Sequence, residues 1–135
     1  MEKAIRYFTK SKKGNTKKLA AAAEKALNLT AETVDVPLEE KTDVVVLINA
    51  MYAATVDKEV KNFIAQNKDK IGVIVNVNSS ATGKSTLPAV KKVADSVGVK
   101  VSDKEFHCKG SWIFLNKGKP DENDLIELQV FLKKL

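Results

Sequence analysis

One cysteine and one histidine stand among the 135 residues. Cys108 therefore has no partner for an intrachain disulfide, and nothing argues for a secreted, disulfide-held scaffold. His107 precedes it directly, so on a strand the two side chains face opposite ways, and no further Cys or His completes a metal set or a catalytic triad. Aromatics make up 6% of the chain, and Trp112, Tyr7 and Tyr52 lie far apart in sequence. That is too sparse a set for a platform that stacks single-stranded bases. No apolar run approaches the length of a membrane span, and the start, Met-Glu-Lys-Ala-Ile, lacks the apolar core of a signal peptide. A cytoplasmic protein with no membrane association is the expectation. Internal repeats, linkers and low-complexity stretches are absent too, so residues 1–135 are expected to form one domain.

What is present is an ordinary globular composition, 44% hydrophobic and 30% charged, with a net charge of +6 and a pI near 9.3. The length suffices for a substantial single core. The lysines are distributed along the whole chain, which disfavours nucleic-acid binding and leaves an acidic protein partner as the expected complement of the charge.

Hydrophobic patterning divides the chain into alternating strands and helices. Ala4 to Phe8 is a short apolar run of β-formers, and Asn15 to Leu29 carries Leu19, Ala20, Ala23, Ala26 and Leu27 at helical spacing. Glu32 to Val36 alternates polar and apolar residues and is stopped by Pro37, which suits an edge strand. Val44 to Ile48 is a continuous β-branched run of the kind that parallel sheets bury on both faces, so it should be central. A helix from Asp57 to Gln66, a strand from Ile71 to Val77 and a helix from Ser85 to Val97 follow, the last capped by Gly98. Val99 to Val101 and Glu105 to Leu115 read as one last strand interrupted by a loop. Pro120 and Asp121 then start a final helix to Leu135. Such alternation predicts an α/β three-layer sandwich, a five-stranded parallel sheet with helices on both faces.

The junction after the first strand is the chemically richest stretch. Thr9 to Gly14 bears hydroxyls, lysines and a glycine, and it runs into a helix whose first N–H groups and dipole favour an anion. Gly14 allows a tight bend or a close ligand approach. The simpler reading is a plain strand-to-helix turn capped by Asn15 or Thr16. The run Ser11-Lys12-Lys13-Gly14-Asn15-Thr16 resembles the FMN-phosphate loop of flavodoxins, with Lys13 where a second hydroxyl is usual.

That resemblance implies strand order 2-1-3-4-5 and a site outside the carboxyl ends of the strands, between strands 1 and 3. It implies FMN as cofactor, held non-covalently, with Ser11, Lys12, Lys13, Gly14, Asn15 and Thr16 around its phosphate. Asn49, Ala50, Met51 and Tyr52 are similar to the loop that covers the flavin ring, with Tyr52 as the stacking aromatic. Asn78, Ser79, Ser80 and Gly83 occupy the place of the second ring-contacting segment, here without an aromatic. The implied function is electron transfer to or from a partner; the positive charge of the chain, and not the resemblance, suits an acidic redox partner, and a monomer or weak homodimer is expected. The alternatives are a binding or regulatory module with weak or no FMN, and a small flavin-dependent reductase. No catalytic acid, base or nucleophile stands out. Gly83-Lys84-Ser85-Thr86 matches only the end of a nucleoside-triphosphate P-loop, because Asn78 stands where its first glycine belongs.

Overall fold

The computed structural model describes residues 1–10, 14–51, 55–111 and 116–135. The chain runs β1 (Lys3–Tyr7), α1 (Asn15–Leu27), β2 (Ala31–Thr33), β3 (Thr42–Ala50), α2 (Lys58–Gln66), β4 (Ile71–Ser80), α3 (Leu87–Ser96), β5 (Lys100–Val101), β6 (Phe106–Lys109) and α4 (Glu122–Lys133). Among the described residues every strand pair is parallel, in the order β2-β1-β3-β4-β5, with β6 also on β4. β3 occupies one edge of β4 from Ile71 to Ser79, so β5 and β6 share the other edge. They form one fifth strand in two pieces, pairing with Val73–Ile74 and with Val77–Ser80. This is the 2-1-3-4-5 arrangement, with the last strand broken as its interrupted pattern predicts, but its second piece ends at Lys109, short of the expected Leu115: Gly110 and Ser111 are no longer strand, and 112–115 lie outside the described residues.

Period-two alternation splits the core between the two faces of the sheet. On β3, Val45 and Leu47 join Ile74, Val60, Phe63, Ile64, Val90 and Ala94 under α2 and α3. Val44, Val46 and Ile48 join Ile5, Val75, Val77, Leu19, Ala20, Ala23, Leu128 and Leu132 under α1 and α4. The small alanines of α1 let that helix lie close to the sheet, and each fully buried leucine contributes about 2 kcal/mol of transfer free energy.

Several boundaries differ from the sequence reading for local reasons. α1 stops at Leu27 because Asn28 adopts the left-handed conformation at φ 54°, ψ 45° and donates to the Glu24 carbonyl. β2 ends at Thr33, where a turn closes as the Val36 amide bonds the Thr33 carbonyl at 3.0 Å. The buried Arg6 guanidinium then holds the carbonyls of Val36 and Pro37 at 2.9 and 3.2 Å. Burial lowers the pKa of Arg6, and Glu32 at 3.4 Å offsets part of that. At the other end of the chain, Asp121 and Asp124 form a capping box that starts α4. Among the described residues no helix is long and apolar enough to cross a membrane.

Candidate functional site

β1 hands the chain to β2 on one side and abuts β3 on the other, which opens a crevice above the carboxyl ends of β1 and β3. Three segments meet at that edge.

The first is the turn into α1. The Phe8 amide continues the ladder to the Ile48 carbonyl at 3.0 Å, one residue past β1. Gly14 is the N-cap in extended conformation, φ −73° and ψ 168°, and the amides of Lys17 and Lys18 bond its carbonyl at 3.1 and 3.4 Å. The amides of Asn15 and Thr16 lie ahead of these bonds, at the positive end of the helix dipole. No acidic residue occupies the first turn. Lys10 reaches Asp57, the N-cap of α2, at 3.5 Å and ties the loop to the neighbouring helix start. Ser11, Lys12 and Lys13 lie outside the described residues.

Asn15 makes a second connection. Its side-chain amide donates to the Ser111 carbonyl at 2.9 Å and accepts from the Ser111 hydroxyl at 3.0 Å. Gly110 lies under this pair: a Cβ there would stand 2.6 Å from Asn15 Nδ2 and 3.2 Å from Ser79 Cβ. A side chain at residue 110 would displace the Asn15 amide from Ser111 and crowd Ser79, so glycine there lets the chain leaving β6 pass close under the helix start. Thr16 is buried beneath the helix start.

In the second and third segments the strands run further than their apolar runs suggest. Pairing of Asn49 with Asn78 and of Ala50 with Ser79 extends the ladder, so Asn78, Ser79 and Ser80 belong to β4, not to a loop. Asn49 and Asn78 are fully buried, and with Asn76 and Thr86 they form a closed polar network facing α3. Asn49 donates to Asn76 Oδ1 at 2.8 Å, Asn76 donates to the Thr86 hydroxyl at 2.9 Å, and that hydroxyl donates to Asn49 Oδ1 at 2.6 Å. Asn78 accepts from the Thr86 amide at 3.1 Å and donates to the Lys84 carbonyl at 3.1 Å, which also takes the Ser80 hydroxyl at 2.8 Å. These polar side chains thus hold the loop after β4 in shape. Met51 is linked through its amide to the Ser79 carbonyl at 3.3 Å, and Tyr52 lies outside the described residues.

The loop after β4 turns at Gly83, whose φ of +80° suits glycine. His107 Nδ1 meets the Gly83 carbonyl at 2.9 Å, and Asn116, itself left-handed at φ 54°, donates to the carbonyls of Ala81 and Gly110 at 2.7 and 3.3 Å. Gly83-Lys84-Ser85-Thr86 forms no phosphate cradle. The Thr86 hydroxyl is spent inside the asparagine network, and Ser85 accepts from the Leu87 amide at 2.9 Å while bonding Glu105. Cys108 points the opposite way from His107, towards α4. Burial and the negative charge of Asp124 push its thiol up to about 12, which suits an inert thiol and not a nucleophile. Among the described residues no group of three or more His, Cys, Asp or Glu is placed to hold a metal.

Asn76, Thr86, Gly110 and Asn116 were missed by sequence reasoning. Asn76 did carry a signal: a lone asparagine inside the run Ile71 to Val77 must find buried partners. The others are defined by contacts distant in sequence and carried none.

A doubly wound parallel sheet of this order, with its crevice between strands 1 and 3, is the flavodoxin-like fold. No family model matches the chain, and no curated protein matches its sequence. Solved structures do match. A flavodoxin from the domain Archaea is 16% identical, with a TM-score of 0.74 over 99% of this chain and 95% of its own. A flavoprotein from Lactobacillus acidophilus NCFM, solved in complex with FMN, is 15% identical with a TM-score of 0.65 over 79% of this chain and 93% of its own. The Flv1 flavodiiron core from Synechocystis sp. PCC6803 is 14% identical with a TM-score of 0.71; it covers 97% of this chain, which spans only 34% of that larger protein. At these identities the likeness establishes the fold.

Proposed function

We propose that this chain is a flavoprotein that binds FMN non-covalently at the carboxyl edge of its sheet and passes electrons to or from a partner. The observation that carries the reading is the start of α1. Glycine caps it, no carboxylate stands in its first turn, and the helix starts where the chain leaves β1, at the switch between β1 and β3. A phosphate fits that position: the amides of Asn15 and Thr16 donate to it, Ser11, Lys12 and Lys13 precede it in the chain with a hydroxyl and two positive charges, and Lys17 and Lys18 add more charge. FMN, when bound, supplies the redox chemistry. The chain's own part is to orient the ring between the segments around Met51–Tyr52 and 81–83 and to limit its contact with water. Because Asn49, Asn78 and Ser80 are engaged internally, they act by shaping these segments, and polar contacts to the ring come from backbone groups.

That commitment of side chains favours a second reading, a module of the same fold with weak or no FMN, since fold alone does not confer function. Titration of the ligand-stripped protein, followed by flavin fluorescence, separates the two. Gly14→Asp is the informative variant, because an aspartate N-cap suits the helix while its charge opposes a phosphate. The expected outcome is micromolar or tighter FMN binding, weakened at least ~10-fold by Gly14→Asp, with riboflavin affinity and thermal midpoint not lowered. No quenching by about 50 μM FMN, roughly −6 kcal/mol of affinity, or equal affinity in the variant, would overturn the proposal.

A further inference from the structure

The charge of the chain is unevenly compensated. Arg6 pairs with Glu32, Lys10 with Asp57, Lys91 with Asp103, and Lys119 with Asp121 and Asp124. Most of the other described lysines pair with no carboxylate, Lys84, Lys109 and Lys117 among them, and these three, all exposed, are set apart by their place in the fold. These lysines gather around one turn. The Lys109 stem lies over Gly83, its Cγ 3.3 Å from where a Cβ would stand, and Lys84 follows Gly83 in the chain. Asn116 is bonded to the Ala81 carbonyl at 2.7 Å and brings Lys117 to the same loop. His107, also exposed, meets the Gly83 carbonyl at 2.9 Å. Glu105, just before β6, is engaged by the Ser85 hydroxyl.

The geometry points to the surface of Lys84, His107, Lys109 and Lys117 as the docking face for an acidic protein that exchanges electrons with the bound flavin. This inference rests on the flavin reading above. Uncompensated charges at a rim steer association and set orientation more than they add affinity. Here they surround the loop after β4, which borders the crevice, so a partner docked on them sits beside the ring edge. Lysines are hydrated point charges without the bidentate fork by which arginine grips a phosphate, so a carboxylate-rich protein face suits the patch better than a nucleic acid.

The test uses the full FMN-loaded protein and a Lys84→Glu/Lys109→Glu variant, which breaks no ion pair. Reduction of the flavin is followed by stopped flow with two donors: an acidic [2Fe–2S] ferredoxin, and photoreduced 5-deazariboflavin, which is uncharged. The expected result is a rate about 10-fold lower in the variant with ferredoxin at low salt, an effect that fades at about 0.5 M salt. The deazariboflavin rate stays unchanged. Equal ferredoxin rates in both proteins would overturn the inference. Binding of poly-L-glutamate, measured on the flavin-free full chain, forms the second arm. If the chain holds no FMN, the electron-exchange role falls with the flavin reading, whereas poly-L-glutamate binding abolished by the variant still supports the acidic docking face. Tighter binding of a short DNA duplex than of poly-L-glutamate would refute a protein partner.

Discussion

Replacing Thr86 by valine keeps the shape of the side chain and removes one hydroxyl. That hydroxyl accepts from Asn76 Nδ2 at 2.9 Å and donates to Asn49 Oδ1 at 2.6 Å, in a place where all three residues are fully buried. In Thr86→Val both asparagine groups lose this partner, and each unsatisfied buried group costs about 1–3 kcal/mol. The added methyl recovers about 0.8 kcal/mol of transfer free energy. The net expectation is a loss of about 3 kcal/mol, a large part of the ~5–15 kcal/mol that holds a domain folded. For 135 residues this corresponds to a fall in Tm of roughly 10–15 °C. Urea unfolding followed by far-UV circular dichroism measures it directly, as a lower midpoint at unchanged slope. Thr86→Ser, which keeps the hydroxyl, should lose no more than ~1 kcal/mol. The costs of Thr86→Val and Asn76→Leu should also be less than additive by ~1 kcal/mol or more, because both break the same bond. A loss below ~1 kcal/mol in Thr86→Val, or strict additivity, would refute the closed network.

Two further consequences concern stability elsewhere in the sheet. A Cβ on Gly72 would stand 2.5 Å from the Asp43 carbonyl oxygen and 3.0 Å from its Cα, both backbone atoms of the neighbouring strand. Gly72→Ala should therefore cost about 1–3 kcal/mol by forcing β3 and β4 apart, and an unchanged urea midpoint would contradict that close approach. Cys108 gives a pH dependence. Its thiol is pushed up to about 12 in the folded chain and titrates near ~8.5 when unfolded. Between those values the unfolded state has lost a proton that the folded state retains, so stability declines as pH rises through this window and is unaffected by this group below it. Cys108→Ala should flatten that decline, and the wild-type thiol should react slowly with an aromatic disulfide reagent at pH 8 until urea unfolds the chain; rapid labelling of the native protein would contradict its burial.

The alternation of strand and helix was legible in the sequence because each element carries its own period. Val44 to Ile48 announces a strand buried on both faces, and the alanines of α1 announce a helix lying close to a sheet. A helix start free of acid in its first turn was legible after Gly14 for the same reason, since glycine and the absence of acid are local properties. Even the break in the fifth strand could be read, from the polar residues between Val101 and Phe106. Tertiary structure decided what residues at the strand ends do. Asn49, Asn78 and Ser80 have the composition of loop residues facing a ligand, yet the parallel ladder carries them into the sheet, where burial obliges every polar group to find an internal partner. Of their partners, Asn76 shows itself as a lone asparagine in an apolar run, but Thr86 and the Lys84 carbonyl meet these side chains only once the chain after β4 has folded back on the strand ends. The same holds for Gly110 beneath Asn15 and for the lysines gathered at Gly83. Hydrophobic period is a property of neighbours along the chain and can be read from it, whereas hydrogen-bond satisfaction and charge compensation depend on neighbours in space, which only the folded chain supplies.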